Sequence, residues 1–404
     1  MNHCYFLIIL WTLYSSCTST QLAFKTINFT NPYLFDSEIE HQLAQDTVPW
    51  KYQISASEYA IKGDYQKALE HWDLGRPGRS GEYTSSEIDS LQSNYKIVSA
   101  RDYIIEQAPN HDIIIINEAH HNNYHRVFTK SLLKQLFDLG YTKFGLEALG
   151  NGIHRDTLLN ERKYPLQQTG YYTRNPQFGD LVRQALNIGF EVFPYEQTTN
   201  KNGKQREIEQ ARNIEAMIQL NPDEKFIIHC GFDHAMEGSH GSWEKAMAGR
   251  LQEYTGIDPL TINQVVYSEN GNHESNHPLL KALKIQESSI LLDRKNQPFK
   301  YERGNGWMDI AVLHPNTRYS GERPNWLFDN ETIEVSISID HLNLSFPVML
   351  LIYEANEPLD TAVPVDILEI EAREDAAVLA LKKGNYELII VDKNRNSYLS
   401  EIEN

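Results

Sequence analysis

Acidic and histidine side chains follow four apolar segments of this chain, each at the point where the segment ends. The segments 113–116, 143–146, 190–193 and 226–228 are followed in turn by Glu118 and His120, by Glu147, by Tyr195 and Glu196, and by His229 and His234. If the segments are parallel strands of an open sheet, their carboxyl ends meet at one edge, where ligands bind. The pattern therefore predicts an active or metal site built from residues that are far apart in the sequence.

The first of these clusters is the densest, with Glu118, His120, His121 and His125 inside eight positions. Imidazole and carboxylate groups together bind zinc, manganese or iron. The same groups also serve as general bases in hydrolysis. Both interpretations stay open, and Arg126, which follows directly, is predicted to contact an anionic substrate group.

The other clusters complete the predicted site. Glu147, at the end of an apolar strand, is either a metal ligand or the partner that orients a histidine. His234 follows Gly231, where the backbone can turn sharply. We therefore predict His120, Glu118, Glu147 and His234 as catalytic residues. The candidate ligands of a divalent metal are His120, His121, Glu147 and His234.

Cys230 and four further residues carry weaker signals. A lone cysteine at a buried strand end is usually an inert apolar residue, so Cys230 is not predicted to be a nucleophile. Substrate contacts are predicted at two arginines and at two residues after the third apolar segment, namely Arg206, Arg212, Tyr195 and Glu196. For the arginines, the alternative is a solvated helix face.

The order of these motifs resembles a known superfamily. Asn-Glu-Ala-His-His, Gly-Leu-Glu-Ala-Leu, Arg212-Asn213 and His-Cys-Gly-Phe-Asp-His resemble the superfamily that unites erythromycin esterase-like proteins, the Tiki proteases and the ChaN haem-uptake lipoproteins. The resemblance covers residues 108 to 270. It implies functional roles for Glu118, His120, Glu147 and His234, with hydrolysis in some members and haem binding in others. Asn117 stands where the family usually has glycine, and asparagine tolerates the left-handed backbone better than other non-glycine residues.

The elements that must position these residues alternate along the chain. Strands are predicted at 113–116, 142–147, 190–195, 225–230 and 261–267, and helices at 124–138, 178–188, 204–219 and 242–254. Strands separated by helices of this length indicate right-handed crossovers and a mostly parallel sheet. We therefore predict an α/β domain with flanking helices over residues 109–328.

The flanking regions have different characters. Residues 18–47 are polar and without periodicity, which predicts a tether. Residues 48–108 are predicted to form a helical region that contains a helical hairpin. Short β-rich runs over 329–404 predict a small antiparallel module that resembles a β-sandwich.

The N-terminus predicts export. Residues 5–14 form an apolar run of signal-peptide length, too short to span a bilayer. Residues 13–17 resemble a bacterial lipobox, so residues 1–17 are predicted to be a signal peptide with Cys17 as the lipidated residue. Simple secretion is the alternative to a lipid-anchored protein of the cell envelope.

Composition narrows the function. The formal net charge of −18 over 404 residues argues against a nucleic-acid partner, which needs clustered lysine and arginine. The leading prediction is a cell-envelope hydrolase of ester or amide bonds in a small-molecule or peptide substrate. The alternative is an uptake lipoprotein that binds haem or a metal ion without turnover. The tyrosine-rich loop 164–178 is the candidate platform for haem.

Overall fold

The computed structural model describes residues 22–78, 81–329 and 331–404. The predicted signal peptide, with Cys17, lies outside these residues. Within them, no helix is both long enough and apolar enough to cross a membrane.

The chain forms helices and strands throughout. The helices are α1 (Asp36–Gln45), α2 (Lys51–Ile61), α3 (Tyr65–Gly75), α4 (Ser85–Asn94), α5 (Ala100–Gln107), α6 (Tyr124–Asp138), α7 (Leu159–Arg162), α8 (Pro176–Ile188), α9 (Lys204–Leu220), α10 (Met247–Thr255) and α11 (Pro278–Leu283). The strands are β1 (Lys25–Ile27), β2 (Tyr95–Ser99), β3 (Ile113–Glu118), β4 (Tyr141–Leu146), β5 (Glu191–Pro194), β6 (Lys225–Gly231), β7 (Glu237–Gly238), β8 (Leu260–Tyr267), β9 (Ser289–Asp293), β10 (Tyr301–Arg303), β11 (Gly306–Met308), β12 (Ile310–Leu313), β13 (Tyr319–Ser320), β14 (Arg323–Pro324), β15 (Ile333–Ile337), β16 (Val348–Glu354), β17 (Asp366–Ile370), β18 (Ala377–Leu381), β19 (Asn385–Asp392) and β20 (Ser397–Glu403).

The main sheet confirms the predicted α/β class. Among the described residues, eight strands form it in the order β2-β9-β12-β8-β3-β6-β4-β5. The six strands from β12 to β5 run parallel. At the β12 edge, β9 pairs antiparallel with β12, and β2 pairs antiparallel with β9. Parallel pairing brings the carboxyl ends of β3, β6, β4 and β5 to one edge, as the sequence predicts.

Strand β3 lies at the centre of the core, and its four consecutive isoleucines explain why. Ile114 and Ile116 pack on one face of the sheet with α5, α6 and α8. Ile113 and Ile115 pack on the other face with α9 and α10. All four are at most 1% exposed. Helices cover both faces, so an uninterrupted apolar strand is favoured there over an alternating one.

The region 48–108 contains the predicted helical hairpin, formed by α2 and α3, and one strand that was not predicted. Gly63 joins the two helices with a φ of +87°, a conformation that suits glycine. Strand β2 pairs antiparallel with β9 and so extends the main sheet. Its only apolar pair, Ile97 and Val98, is too short a signal to distinguish a strand from a helix end.

The prediction of a tether over residues 18–47 is wrong for the described part of that segment. Strand β1 pairs with β20, and α1 buries Ile39 against Tyr59 and Ala68. Phe29 and Phe35 are also buried, under the C-terminal sheet. These apolar residues follow no helical or strand period, so the segment lacks the pattern by which a packed element is recognised.

The predicted C-terminal β-rich module contains two antiparallel sheets. Strands β1, β20, β19, β16 and β17 form one antiparallel sheet, and β15 pairs with β18. Val348, Leu350 and Ile352 on the larger sheet share an apolar cluster with Leu379 and Leu381 of β18. The module therefore has a core of its own, although its edge strand β1 comes from the opposite end of the chain.

Because Ile39 is 2% exposed in a docked helix, its truncation removes packed side-chain volume from the folded state. We expect Ile39→Ala to lower the free energy of unfolding by about 2–5 kcal/mol in urea titrations. The matched change Ile153→Ala, at a side chain that is 96% exposed, should alter it by less than about 0.5 kcal/mol. Equal and small effects would mean that α1 is not docked.

Candidate active site

The strand ends bring two carboxylates to either side of Gly231. Glu118 ends β3 and pairs in register with Gly231 of β6, and Glu147 follows the last residue of β4. The Gly231 amide donates a hydrogen bond of 2.6 Å to Glu147 Oε2. The predicted convergence of Glu118 and Glu147 at this edge is therefore present.

Glu118 is held by a buried arginine. Arg126 donates from Nε to Glu118 Oε2 at 2.7 Å and from Nη2 to Oε1 at 3.0 Å, and both side chains are about 1% exposed. Burial raises the pKa of Glu118, but Arg126, His120 and His229 together outweigh it and hold that pKa well below its usual range. Arg126 also donates to Asn123 Oδ1 and to the His120 carbonyl. With its donors used inside the protein, Arg126 positions Glu118, which corrects its prediction as a substrate contact.

His120 is oriented by Glu118. Its Nδ1 lies 2.8 Å from Glu118 Oε1, and an ionised carboxylate only accepts, so Nδ1 carries the proton. The lone pair is then on Nε2, to which no described residue forms a hydrogen bond. The ring stacks on Tyr172 at 4.0 Å between centroids. His120 therefore presents a basic nitrogen at the sheet edge.

Gly231 is required by the position of His120. A Cβ atom at residue 231 would lie 2.5 Å from both Cε1 and Nε2 of the His120 ring. The same Cβ would lie 3.6 Å from Glu147 Oε2. The missing side chain thus makes room for the imidazole next to Glu147.

His234 forms a second carboxylate–histidine pair, with a partner that the sequence analysis missed. Its Nδ1 lies 2.8 Å from Oε2 of Glu207, which is fully buried and also accepts from the Met247 amide at 2.9 Å. The ring stacks on Trp243 at 5.2 Å. Glu207 lies in a helix rich in glutamate, and nothing in the sequence separates this buried carboxylate from its solvated neighbours.

Arg206 connects the remaining acidic residues, and it joins Glu196, another predicted substrate contact, to Glu147 and His234. Its Nη2 donates to Glu147 Oε1 at 2.5 Å, and its Nε donates to Glu196 Oε1 at 3.0 Å. Its Nη1 lies 3.1 Å from His234 Nε2. The Arg206 side chain is 30% exposed, so part of the guanidinium remains accessible to a ligand.

The Nε2 atom of His234 has partners for both the neutral and the protonated form of the ring. Arginine donates only, so the 3.1 Å contact with Arg206 needs a lone pair on His234 Nε2. Burial lowers the pKa of His234, but the carboxylates of Glu147 and Glu207 outweigh it and raise that pKa above its ordinary value. Once protonated, Nε2 has Glu147 Oε1 at 3.5 Å as an acceptor. His234 can therefore both take up and return a proton.

Two predicted substrate contacts do not present a group to a ligand at the site, which corrects both predictions. Arg212 is 55% exposed, pairs with Glu215 at 2.6 Å and lies over the Tyr254 ring. Tyr195 is fully buried and donates to the His229 carbonyl at 2.7 Å. Cys230 is also buried, and burial raises the pKa of its thiol well above the usual value, which is the state of an inert cysteine.

The four predicted metal ligands do not bring three donor atoms together. Among the described residues, donor atoms of three or more acidic, histidine or cysteine side chains come within 4.8 Å of one another only at Asp36, Glu369 and Glu371. There, Asp36 and Glu369 both contact the buried ammonium of Lys62. His121, a predicted ligand, instead stacks on Trp72 at 3.9 Å. The predicted four-residue set therefore does not fit a metal ion.

An aromatic rim surrounds the two histidines. It consists of four half-buried residues from different parts of the chain, Trp72, Tyr172, Phe232 and Trp243. Trp72 comes from α3 and stacks on both His121 and Phe232. Tyr172 lies in the loop 164–178, which was predicted as a haem platform but packs on His120 and, through Tyr171, on Glu58 of α2.

The left-handed residue at the site is Phe232, and Asn117 does not have a positive φ. Phe232 has a φ of +43°, which is unusual for a bulky side chain. Asn117 lies within β3, and its Nδ2 donates to the Phe232 carbonyl at 2.8 Å. The Asn117 side chain therefore stabilises the left-handed turn before His234.

Comparisons with known proteins give structural similarities alone. No protein-family model matches it, and no curated protein sequence matches it. Among solved structures it is similar to the type III effector HopBA1, with a TM-score of 0.36 and 13% identity over 55% of this chain and 98% of that one. It is also similar to RRSP, a MARTX toxin effector domain from Vibrio vulnificus CMCP6, with a TM-score of 0.28 and 15% identity over 55% of this chain and 45% of that one. It is also similar to a structure described as bacterial protein toxins, with a TM-score of 0.31 and 14% identity over 54% of this chain and 48% of that one.

The ion pair of Glu118 predicts how stability depends on pH. The pKa of this carboxyl is lower in the folded chain, so its contribution is present above the unfolded pKa of about 4.5 and is lost as pH falls toward the folded pKa. We expect Glu118→Gln to cost about 3–5 kcal/mol near pH 7 because Arg126 stays buried without its partner. Urea unfolding from pH 7 to pH 3 should show this difference shrinking. A difference that is constant across the range would contradict the assignment.

Proposed function

We propose that the protein hydrolyses ester or amide bonds, with His120 as the general base that activates water. The observation that carries this proposal is the hydrogen bond between His120 Nδ1 and Glu118, which leaves Nε2 free to accept a proton. We further propose that residues 109–328 form a catalytic core of the erythromycin esterase-like, Tiki and ChaN superfamily. The meeting of Glu118, His120, Glu147 and His234 at one edge supports this.

The first step is a proton transfer at His120. Nε2 takes a proton from water while the water oxygen attacks the carbonyl carbon of the substrate, whose oxygen becomes negatively charged. The imidazolium that forms keeps its Nδ1 proton toward Glu118, and that carboxylate stabilises the new charge. Because Arg126 fixes Glu118 through two hydrogen bonds, the ring is already oriented before the substrate arrives.

The second step needs positive charge and a proton donor. Arg206 presents a partly exposed guanidinium beside Glu147 and His234, where it can stabilise the carbonyl oxygen as its negative charge develops. As the bond to the alcohol or amine breaks, the imidazolium of His120 returns its proton to the leaving group. His234, whose pKa is raised by Glu147 and Glu207, is positioned to assist that transfer.

The position of Arg206 argues against the alternative role in metal or haem uptake. The guanidinium of Arg206 lies between Glu147, Glu196 and His234, where it already supplies the positive charge that a metal ion would bring. This favours a metal-independent hydrolase. We propose a small-molecule or peptide substrate and, from the leader-like residues 1–17, action in the cell envelope with a lipid anchor at Cys17.

Replacement of the proposed base tests the mechanism. We expect His120→Gln to lower kcat/KM by about 10²–10⁴-fold, because a carboxamide cannot take up the proton. The assay is turnover of a panel of p-nitrophenyl esters and peptide p-nitroanilides. His154→Gln, at an exposed histidine, is the matched control and should keep the wild-type rate. Wild-type turnover by a folded His120→Gln variant would refute the role of His120.

Removal of metal tests whether Arg206 replaces a metal ion. After dialysis against a chelator, elemental analysis should show no bound zinc, manganese or iron, and kcat/KM should be unchanged. We expect Arg206→Gln to lower turnover because it removes the cation beside Glu147. Activity that disappears on chelation and returns with added metal would contradict the metal-independent mechanism.

A further inference from the structure

A groove of about 680 Å³ lies beside the first turn of α6 and is separate from the histidine pairs. Among the residues that line it are two aromatic and four basic side chains, Tyr124, Trp326, His273, Lys281, Lys284 and Arg318. We call it the basic groove. None of its described lining residues carries a carboxylate. Its volume is within the range of about 300–1,000 Å³ that is typical of small-molecule sites.

One of the four basic side chains of the basic groove, His273, contacts a carboxylate of the protein, Glu269 Oε2 at 3.0 Å. Over the described residues, no carboxylate oxygen forms an ion pair with Lys281, Lys284 or Arg318. Lys281 donates to the Glu274 carbonyl at 3.1 Å, and Arg318 donates to Gln286 Oε1 at 3.0 Å. Both acceptors are neutral. Three cations that share one cavity repel each other, and an anionic ligand relieves that repulsion.

The walls of the basic groove are held in place from behind. Trp326 Nε1 donates to Thr317 Oγ1 at 3.0 Å, and the Thr317 amide donates to Glu269 Oε2 at 2.7 Å. Glu269 is 6% exposed. The Tyr124 ring lies 5.9 Å from the Trp326 ring, and its hydroxyl is hydrogen bonded to Ser288 Oγ at 3.1 Å. A ligand therefore meets aromatic side chains that are already ordered, which lowers the cost of binding.

We propose that the basic groove binds a small organic anion in which a carboxylate or phosphate is attached to a ring, such as an acidic or phosphorylated sugar. The lysines and the arginine contact the anionic group, and Tyr124 and Trp326 contact the ring. The contacts to the anion are charge-assisted, and the arginine suits both oxyanion types. This binding is independent of the proposed hydrolysis.

Calorimetric titration of the full chain tests the inference with three probes. Glucose 6-phosphate and glucuronate carry the two kinds of anion, and glucose carries the ring alone. We expect saturable binding, one ligand per chain, for at least one of the two anions and none for glucose. The stronger of the two anions identifies whether phosphate or carboxylate is preferred.

Variants then locate the binding. Lys284→Glu and Arg318→Glu, both at exposed side chains, should each weaken binding about tenfold or more. Lys383→Glu makes the same change of charge at an exposed turn of the C-terminal module and should leave the affinity unchanged. Thermal melts establish that each variant is folded. The inference is overturned if neither anion binds saturably, if the groove variants bind like the wild type, or if Lys383→Glu weakens binding equally.

Discussion

The buried ion pair between Glu118 and Arg126 is the interaction on which the arrangement of the site depends. Two charges removed from water are tolerated only when the geometry is good and the remaining donors are satisfied. Here one guanidinium meets both carboxylate oxygens at the end of β3 and also binds Asn123 and the His120 carbonyl. The loop between β3 and α6 is therefore tied to a single cation. The direction of the His120 ring follows from that constraint.

The second arginine of the site shows how burial changes the role of the same residue type. Arg126 is closed off from solvent and stabilises a carboxylate that orients a base. Arg206 also binds carboxylates, but it remains partly exposed next to His234. Because its guanidinium faces both protein and solvent, it can exchange part of its hydrogen bonding for contacts with a ligand. The two histidine pairs are thus supported by one structural and one accessible cation.

Much of this arrangement follows from the sequence because it depends on strand ends. Parallel pairing of β3, β4 and β6 is enough to bring Glu118, Glu147 and the His229–His234 segment together, and apolar runs mark those strands. It was harder to predict which residues of a helix face the site. Arg206 and Arg212 are six residues apart on α9, or about 240° around the helix, so the two cannot face one site. Glu207 and Trp72 carried no local signal, since their roles arise from contacts with distant elements. The packed segment before α2 was missed because its apolar anchors have no period.

Trp72 stacks on His121 and Phe232 and so places part of a separate helical hairpin at the entrance to the site. The two carboxylate–histidine pairs belong to the α/β part, whereas this part of the rim is contributed by a helical hairpin that precedes it. Changes in the hairpin can reshape the entrance without disturbing the acid–base groups. In the proposed hydrolase, selectivity and reactivity would thus be encoded in separate stretches of sequence, so that each could change independently.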